Sequence, residues 1–512
     1  MKPRCPLSAS CTLESRLRVA SPRRKLCSTA WRCSCSVSVR RQASHPPAAI
    51  TGNASAIART GQSRRTPRPV TTACLTRLPV LYRVPGCHAM PDPPRPAPPF
   101  TQRRGSATLP AAPTTGERRM ATPETRITEW LATQQEAMLA ELEAMVNIDG
   151  GSYDKAGVDA VGQRVKDFCA RFDIPVETVP GQKHGDCLRA LVGGGDATAS
   201  GNARQNIVLM GHRDTVFPKG EPTRRPFRVE NGIATGPGVC DMKAGLVQNL
   251  FVLAAFRQFG GAPGPLVGLF TGDEEIGSPE GRPVIEAEAR RARVVFNSEP
   301  GRPSGAVVTG RKGGVFMVMD IEGKAAHSGG NFEAGISAIE ELARKIQAIH
   351  ALTDIPRGIT LNVGLVSGGQ SVNTVAPWAQ GQIDLRYIHP EDRDDIMGRI
   401  EGIIAQSFVP GTRATLTIRG EFLPLAQNAG TEAVFAAYKA AAAESGLAIA
   451  SEFAGGCADS GFTAAQGAPT LCAVGPVGGK AHSPEEYLEV ASVVPRAQAL
   501  ARAILKLDQA GI

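Results

Sequence analysis

The sequence predicts an α/β domain with a central mixed sheet, interrupted by a smaller α+β domain of ferredoxin-like order. Short, continuous apolar segments alternate with helical patterns up to residue 310 and again from residue 421, as in a sheet covered on both faces. Residues 311–420 instead follow the order β-α-β-β-α-β. We therefore expect residues 120–310 and 421–512 to form one domain, with residues 311–420 inserted within it as a second.

Each element of the first domain follows from the spacing of its apolar residues. Leu131, Met138, Leu142 and Met145 recur at helical spacing and predict a helix over residues 127–146. Apolar runs too short for a helix predict buried strands. The further predicted helices span residues 161–172, 242–259, 284–293, 432–445 and 490–507, and the predicted strands span residues 207–210, 266–270, 294–296 and 470–474.

The inserted domain shows a different pattern. Residues 315–322 alternate between apolar and polar side chains, which predicts a strand with one buried face. Further strands are predicted at residues 359–365, 380–387 and 414–419, and helices at residues 334–349 and 392–408. The chain contains no internal repeat, GxGxxG motif or Walker-type loop, so the sequence gives nucleotide chemistry no support.

Residues 1–119 differ in composition from the rest of the chain. They contain 21 Lys and Arg but only three acidic residues, so the net charge of +9 combines a basic leader with an acidic body. Such a composition cannot bury enough apolar surface to offset chain entropy, and we expect a disordered leader. Because Met120 precedes the first predicted helix, the leader is interpreted as an extension from a misplaced start codon; a targeting segment and a genuine disordered tail are the alternatives.

Charge, hydropathy and cysteine content narrow the partners and the compartment. A nucleic-acid partner would depend on the basic leader alone, and we predict none. No window approaches the ~18 apolar residues of a membrane span, which predicts no membrane partner. The five cysteines of the body are odd in number and unpaired in spacing, which predicts a reducing, cytoplasmic location.

Five potential metal ligands follow one another in a fixed order. They are His212 in GHRDTVFP, Asp241 in GPGVCDMKAG, Glu275 in TGDEEIGS, Glu299 in FNSEPG and His482 in GGKAHSPEEY. Two imidazoles and three carboxylates, one of them shared, give each of two zinc ions one His and one Glu plus the bridge. A position then stays open for water, and an open position indicates catalysis.

Neighbouring residues complete this interpretation. Asp214 follows His212 at i+2 after an apolar strand, so that it can orient the imidazole. Glu274 and Glu275 follow Asp273, and three consecutive acids repel one another unless a cation is present. Glu275 is then a metal ligand, and Glu274 takes the proton from the metal-bound water.

Taken singly, these motifs have structural explanations. Asp241 alone is a helix N-cap, residues 273–275 form a solvated acidic turn, and His482 is a surface histidine. Together they all fall at strand ends or adjoining loops, where an open α/β sheet places its ligand crevice. Their combination therefore favours one catalytic site.

With these motifs, residues 122–510 resemble the metallopeptidase family that contains carboxypeptidase G, acetylornithine deacetylase and succinyl-diaminopimelate desuccinylase. The resemblance implies a zinc-peptidase catalytic domain, a lid or dimerisation domain and a homodimer. It also implies two Zn²⁺ per subunit, with Co²⁺ or Mn²⁺ as substitutes. It assigns His212 and Glu299 to one ion, Glu275 and His482 to the other, Asp241 to the bridge with a cis peptide bond after it, and Glu274 to the role of general base.

The resemblance also implies roles for the inserted domain. His327, in GKAAHSGG, matches a family histidine that reaches into the partner subunit's active site, and Asn373, in SVNTVAP, matches a residue that meets the substrate. The glutamate carboxypeptidases of the family grip the substrate carboxylate with an Arg where this chain has Leu423. The remaining candidates to bind an anionic substrate are Arg311, Lys312 and Arg419.

These observations predict a hydrolase that cleaves the amide bond of an N-acyl amino acid or short peptide, in the manner of a glutamate carboxypeptidase. An N-acyl-amino-acid deacetylase or desuccinylase is the alternative enzyme. A catalytically inactive binding relative is a third possibility, but such a relative is expected to have lost a ligand or the base. None is missing here.

Overall fold

The computed structural model describes residues 121–193 and 204–512. The predictions for the leader lie outside these described residues. The helices are α1 (Pro123–Ala132), α2 (Gln135–Val146), α3 (Lys155–Arg171), α4 (Glu221–Arg224), α5 (Ala244–Phe259), α6 (Arg282–Ala289), α7 (Ala338–His350), α8 (Asp392–Ala405), α9 (Ala429–Ala443), α10 (Ser460–Ala465) and α11 (Val490–Leu505). The strands are β1 (Val176–Val179), β2 (Cys187–Val192), β3 (Asn206–His212), β4 (Arg228–Glu230), β5 (Ile233–Thr235), β6 (Leu266–Thr271), β7 (Ala292–Asn297), β8 (Val307–Arg311), β9 (Gly313–Glu322), β10 (Thr360–Gly368), β11 (Trp378–Tyr387), β12 (Arg413–Phe422), β13 (Ser451–Ala454), β14 (Thr470–Cys472), β15 (Gly478–Gly479) and β16 (Tyr487–Glu489).

The main sheet has eight strands in the order β1-β2-β6-β3-β7-β14-β8-β13. Strand β3 pairs in parallel with both β6 and β7, whereas β1 and β2 run antiparallel, so the sheet is mixed as predicted. Every residue of β3 is buried, because helices cover both faces. The carboxyl ends of β6, β3 and β7 meet at one edge, where His212 ends β3, Glu275 follows β6 and Glu299 follows β7.

Helix α5 is long, mostly apolar and buried along most of its length. Together with the turn before it, the segment Val239–Phe259 is long and apolar enough to cross a membrane by length and composition. The prediction that no segment meets this criterion is therefore wrong. Nearly all of this segment is buried inside the protein, as in the core helix of a soluble fold.

The second sheet confirms the predicted β-α-β-β-α-β order. Its strands lie in the order β10-β11-β9-β12, all pairs are antiparallel, and α7 and α8 pack against them. This part has its own hydrophobic core, which includes Met317, Leu342, Leu385 and Ile400. Strand β8 of the main sheet ends at Arg311, and β9, the first strand of the second sheet, begins at Gly313.

A small third sheet joins distant parts of the main domain. Its strands lie in the order β15-β16-β5-β4, so that residues 487–489 of β16 pair with residues 233–235 of β5. The loop between β15 and β16 carries His482. This pairing fixes the C-terminal ligand loop beside the turn that precedes α5.

The structure corrects several predicted elements. The single helix expected over residues 127–146 is two helices, because the chain turns at Thr133, whose amide and hydroxyl both donate to the carbonyl of Trp130. The edge strands β1 and β13 were not predicted, since each is short and part-exposed. Such strands depend on pairing with neighbours more than on their own pattern.

Candidate metal centre

His212 is the last residue of β3, and its imidazole is buried at the edge where the parallel strands end. Its Nδ1 lies 3.0 Å from the backbone carbonyl oxygen and 3.4 Å from the Oδ1 of Asp214. Contact with these oxygens favours a proton on Nδ1 and directs Nε2 into the site. The predicted orienting role of Asp214 agrees with this geometry, and the backbone carbonyl shares the contact.

Asp214 also organises the acidic loop after β6. Its carboxylate accepts hydrogen bonds from the amides of Glu274 and Glu275, each at 3.1 Å, and from the Ser152 hydroxyl at 2.7 Å. Burial acts to raise the pKa of this carboxyl, but these bonds and the contact with His212 outweigh burial and lower it. Asp214 therefore stays ionised and ties the loop to the histidine.

Asp241 lies between the two histidines. Its Oδ1 is 3.3 Å from the Nε2 of His212, and its Oδ2 is 3.4 Å from the Nε2 of His482. The peptide bond Asp241–Met242 is cis, as the resemblance implied. Each carboxylate oxygen thus faces a different imidazole, which is the arrangement that a bridging ligand requires.

The two glutamates each approach one histidine. Glu275 Oε2 lies 3.1 Å from His482 Nε2, and Glu299 Oε1 lies 3.8 Å from His212 Nε2. Burial raises the pKa of Glu275 to about 7, although the contact with His482 opposes this shift. His482 has a left-handed φ of 62°, which is uncommon for a residue other than glycine and is frequent at functional sites.

The donor set fits a pair of divalent cations. Zinc bonds of about 2.0–2.2 Å in a tetrahedron place neighbouring ligand atoms about 3.3–3.6 Å apart, close to the separations found here. Ligand atoms of His212, Asp241 and Glu275 lie within 4.8 Å of one another. The Oε1 atoms of Glu275 and Glu299 are buried without a hydrogen-bond partner, which is unfavourable unless a cation balances them.

Glu274 stands beside the ligands. Its side chain is buried, and its Oε2 is 3.9 Å from His212 Nε2. Burial raises the pKa of Glu274 well above its ordinary value, with a further contribution from the charge of Glu299. A carboxylate in this place is available to accept a proton.

The metal centre opens into a cavity of about 490 Å³ that is lined by three arginines, Arg302, Arg311 and Arg386. Arg302 is already paired with Glu452, whose Oε2 lies 3.4 Å from the Arg302 Nε. Arg311, at the end of β8, is buried and donates from Nη1 to the carbonyls of Gly456 and Cys457 at 3.2 and 3.3 Å. Arg386, on β11 of the second sheet, donates from Nη1 to the Cys457 Sγ at 2.8 Å. Its guanidinium group lies 5.0 Å from the centroid of the Phe316 ring.

Sequence reasoning singled out Arg311 and missed Arg386. Period-two alternation along the predicted strand 380–387 places Gln382, Asp384 and Arg386 on one face, which was the available signal. That signal does not say which face meets the cavity. The side of β11 that faces the metal centre is decided by how the two sheets pack.

Arg419 does not line the cavity beside the candidate metal centre. It is exposed on β12 and borders a separate cavity on the second sheet. The pairing of β12 with β9 shifts register between Ile418 and Gly420, so Arg419 is the extra residue of a bulge. Lys312 is also directed elsewhere, because its Nζ donates to the Gly358 carbonyl at 2.7 Å.

His327 and Asn373 lie together but outside the cavity of their own chain. His327 pairs with Thr374, and the Asn373 carbonyl accepts a hydrogen bond from Ser328 at 3.0 Å. Both side chains are exposed. The Nδ1 of His327 accepts from the amides at positions 329 and 330, each at 3.1 Å, so the ring is held with Nε2 outward.

The model of peptidase family M20/M25/M40 matches residues 208–506, a range that holds all five candidate ligands. The chain belongs to this family. Carboxypeptidase G2 from Pseudomonas sp. (strain RS-16) is 29% identical over 383 residues, which cover 73% of this chain and 90% of that protein.

Solved structures of the M20 family share the fold. An M20 metallo-carboxypeptidase from Sulfolobus solfataricus matches with a TM-score of 0.60 at 18% identity, over 72% of this chain and 98% of its own. A dinuclear metal-binding M20 peptidase from Bacillus subtilis matches with a TM-score of 0.52 at 17% identity, over 73% and 99%. This chain is therefore a hydrolytic enzyme of the M20 family, which is metal-dependent and has dinuclear members.

Proposed function

We propose that this M20 enzyme is a dizinc hydrolase that removes a carboxyl-terminal amino acid from an N-acyl amino acid or short peptide. The observation that carries the proposal is one cavity in which metal ligands and Glu274 share the wall with Arg311 and Arg386. The ligands suit hydrolysis, and the arginines suit a substrate with a free carboxylate. The similarity to carboxypeptidase G2 supports this choice.

The donor set would hold the two ions with His212 and Glu299 on one, Glu275 and His482 on the other, and Asp241 between them. When bound, the ions supply Lewis-acid activation of water and of the scissile carbonyl. Zinc suits mixed imidazole and carboxylate donors, and Co²⁺ or Mn²⁺ suit the same donors.

Glu274 handles the proton in this mechanism. Its carboxylate reaches the cavity beside His212 but lies farther from that imidazole than Asp241 does. It accepts a proton from the attacking water and then delivers it to the leaving amine nitrogen. Asp214 holds the imidazole of His212 and the backbone of Glu274 in fixed positions during the reaction.

The two arginines select the carboxyl end of the substrate. A buried carboxylate without a partner costs several kcal/mol, so an exopeptidase needs a cation beside its terminal group. Arg311 and Arg386 supply two guanidinium groups from different sheets, and guanidinium groups bind carboxylates in a bidentate way. Arg311 and Arg386 would supply the positive charge that the uncharged Leu423 does not provide at the position of the family's arginine.

A second cavity, of about 450 Å³, suits the other end of the substrate. Its wall includes Tyr153, Val216, Phe217 and Pro218, and Glu275 belongs to the walls of both cavities. The Lys219 ammonium at its rim is paired with Asp154 at 2.9 Å. We propose that this apolar, charge-balanced cavity receives the acyl or peptidyl group.

An N-acyl-amino-acid deacetylase or desuccinylase is the second candidate, because two arginines also suit a dicarboxylic acyl group. A screen of N-acyl amino acids, dipeptides and folyl-type glutamates with added zinc separates the two. Release of the carboxyl-terminal residue from several acyl donors supports the carboxypeptidase. Cleavage of short acyl groups alone supports the deacylase, and cleavage of carboxylate-free amides alone contradicts both.

We further propose a homodimer, in which His327 of the partner subunit polarises the scissile carbonyl and Asn373 of the partner subunit contacts the substrate. Both side chains are exposed and neither lines the cavity of its own chain, which supports this arrangement. The described cysteines are all free, which supports the proposal of a reducing, cytoplasmic location.

A further inference from the structure

Glu486 is a buried carboxylate outside the set of ligands, four residues after His482. Its Oε1 accepts hydrogen bonds from the backbone amides of Cys240 at 2.8 Å and Asp241 at 2.9 Å. Its Oε2 accepts one from the amide of Gly238 at 2.9 Å. The Glu486 side chain therefore binds the turn that carries Asp241. Glu486 itself belongs to the loop that carries His482.

The turn depends on these bonds because its backbone is irregular. Gly238 lies in the left-handed region with a φ of 72°, and both Asp241 and Met242 have non-helical dihedral angles. The three amides are thus outside the regular hydrogen bonding of α5. A buried amide without an acceptor is strongly unfavourable, and the two carboxyl oxygens of Glu486 supply the acceptors for these three amides. The Glu486 carboxylate therefore fixes the path of the turn.

We propose that Glu486 is a positioning residue of the metal centre, which holds the Asp241 carboxylate between His212 and His482. The two oxygens of Asp241 face the imidazoles at 3.3 and 3.4 Å, and a bridge serves both ions only while both distances are kept. This inference rests on the two-metal centre of the proposed function and does not depend on the substrate. Outer partners of metal ligands typically change metal affinity by 10–100-fold.

The test compares Glu486→Gln with Glu485→Gln. Glutamine keeps the shape of residue 486 but removes its charge and turns one acceptor into a donor. Glu485 is exposed and adjacent, so its substitution is the matched control. We expect the zinc affinity of the chelator-treated protein, measured by competition with a chromophoric chelator, to fall about 10–100-fold in Glu486→Gln and less than about twofold in the control. Equal affinities in the two variants overturn the proposal.

Circular dichroism of the metal-free variants reports any general loss of structure. A lower zinc affinity in a variant that remains folded indicates a positioning role for Glu486. If Glu486→Gln does not fold, hydrogen exchange in the metal-free wild-type protein decides. We expect the amides of residues 238, 240 and 241 to be protected without metal. Rapid exchange there, beside a protected α5, overturns the proposal. A wild-type protein that binds zinc but hydrolyses no amide contradicts the proposed function, whereas the affinities of the variants decide the role of Glu486.

Discussion

At the scale of single residues, Glu274 is proposed to transfer the proton without binding metal, and the two roles can be tested separately. We expect Glu274→Ala to lower kcat about 10²–10⁴-fold, because a general base contributes that much, while zinc content stays at the wild-type value. The Asp241→Ala contrast variant should lose both ions, since both histidines face this carboxylate. Elemental analysis after dialysis and steady-state kinetics measure the two effects. Loss of both zinc ions in Glu274→Ala would make this residue a ligand.

Arg386 tests how the substrate carboxylate is bound. We expect Arg386→Ala to raise KM about 10–100-fold with a smaller change in kcat, because a lost charged hydrogen bond of about 1.5–3 kcal/mol corresponds to that range. Arg419→Ala is the control, since Arg419 is exposed on the neighbouring part of the same sheet and lies outside the cavity. Similar KM values for the two variants would remove Arg386 from the site.

At the scale of elements, a buried ion pair holds the helices of the second sheet together. Glu341 and Lys345 of α7 are fully buried and 2.9 Å apart, and Lys345 Nζ also donates to the Ile404 carbonyl at 3.0 Å. The Glu341 carboxylate accepts hydrogen bonds from the amides of Phe408 at 3.2 Å and Val409 at 2.6 Å. The pair thus connects α7 to the end of α8 and the loop after it.

Glu341→Gln should lower the free energy of unfolding by about 3–5 kcal/mol, because it leaves Lys345 buried without a counter-charge. Glu340→Gln is the control: Glu340 is half exposed, and its pair with Arg344 contributes about 0.3–0.5 kcal/mol. Chemical unfolding followed by circular dichroism, with the transition of the second sheet resolved, measures both. A loss in Glu341→Gln no larger than that of the control would show that the pair does not stabilise the fold.

The same pair predicts a pH dependence. Burial acts to raise the pKa of Glu341, but the bonds from Lys345, Val409 and Phe408 outweigh burial and lower it. A carboxyl whose pKa is lower in the folded protein stabilises it fully above the unfolded pKa of about 4.5, and this contribution disappears as the pH falls through the folded pKa. The stability difference between wild type and Glu341→Gln should therefore narrow below about pH 4.5. A difference that is constant from pH 7 to pH 3 would contradict this reading.

At the scale of the whole molecule, the proposed dimer predicts complementation between two inactive proteins. A heterodimer of His327→Ala and Glu274→Ala subunits contains one site with both residues intact, if His327 acts across the interface. Random exchange makes half of the dimers mixed, so activity should recover to about a quarter of wild type. Subunit exchange is verified with two affinity tags. Exchange without recovery would place His327 in its own subunit or outside catalysis.

The sequence by itself identified the candidate ligands and predicted many of the helices and strands. His212, Asp241, Glu275, Glu299 and His482 follow strand ends or turns, and local patterns record strand ends well. The β-α-β-β-α-β order of the inserted domain was predicted for the same reason, since periods of two and of about 3.6 residues are local properties.

Where two residues of the same type lie in similar local positions, only the tertiary structure decided which of them lies near the metal centre. Arg386 and Arg419 are both arginines on strands that flank β9 in the same sheet, yet of these two only Arg386 lines the cavity, because packing of the two sheets and a bulge in β12 set their directions. Glu485 and Glu486 are adjacent and chemically identical, but pairing of β16 with β5 buries only the second against the Asp241 turn. These outcomes depend on contacts between residues far apart in the chain, and no local pattern contains them.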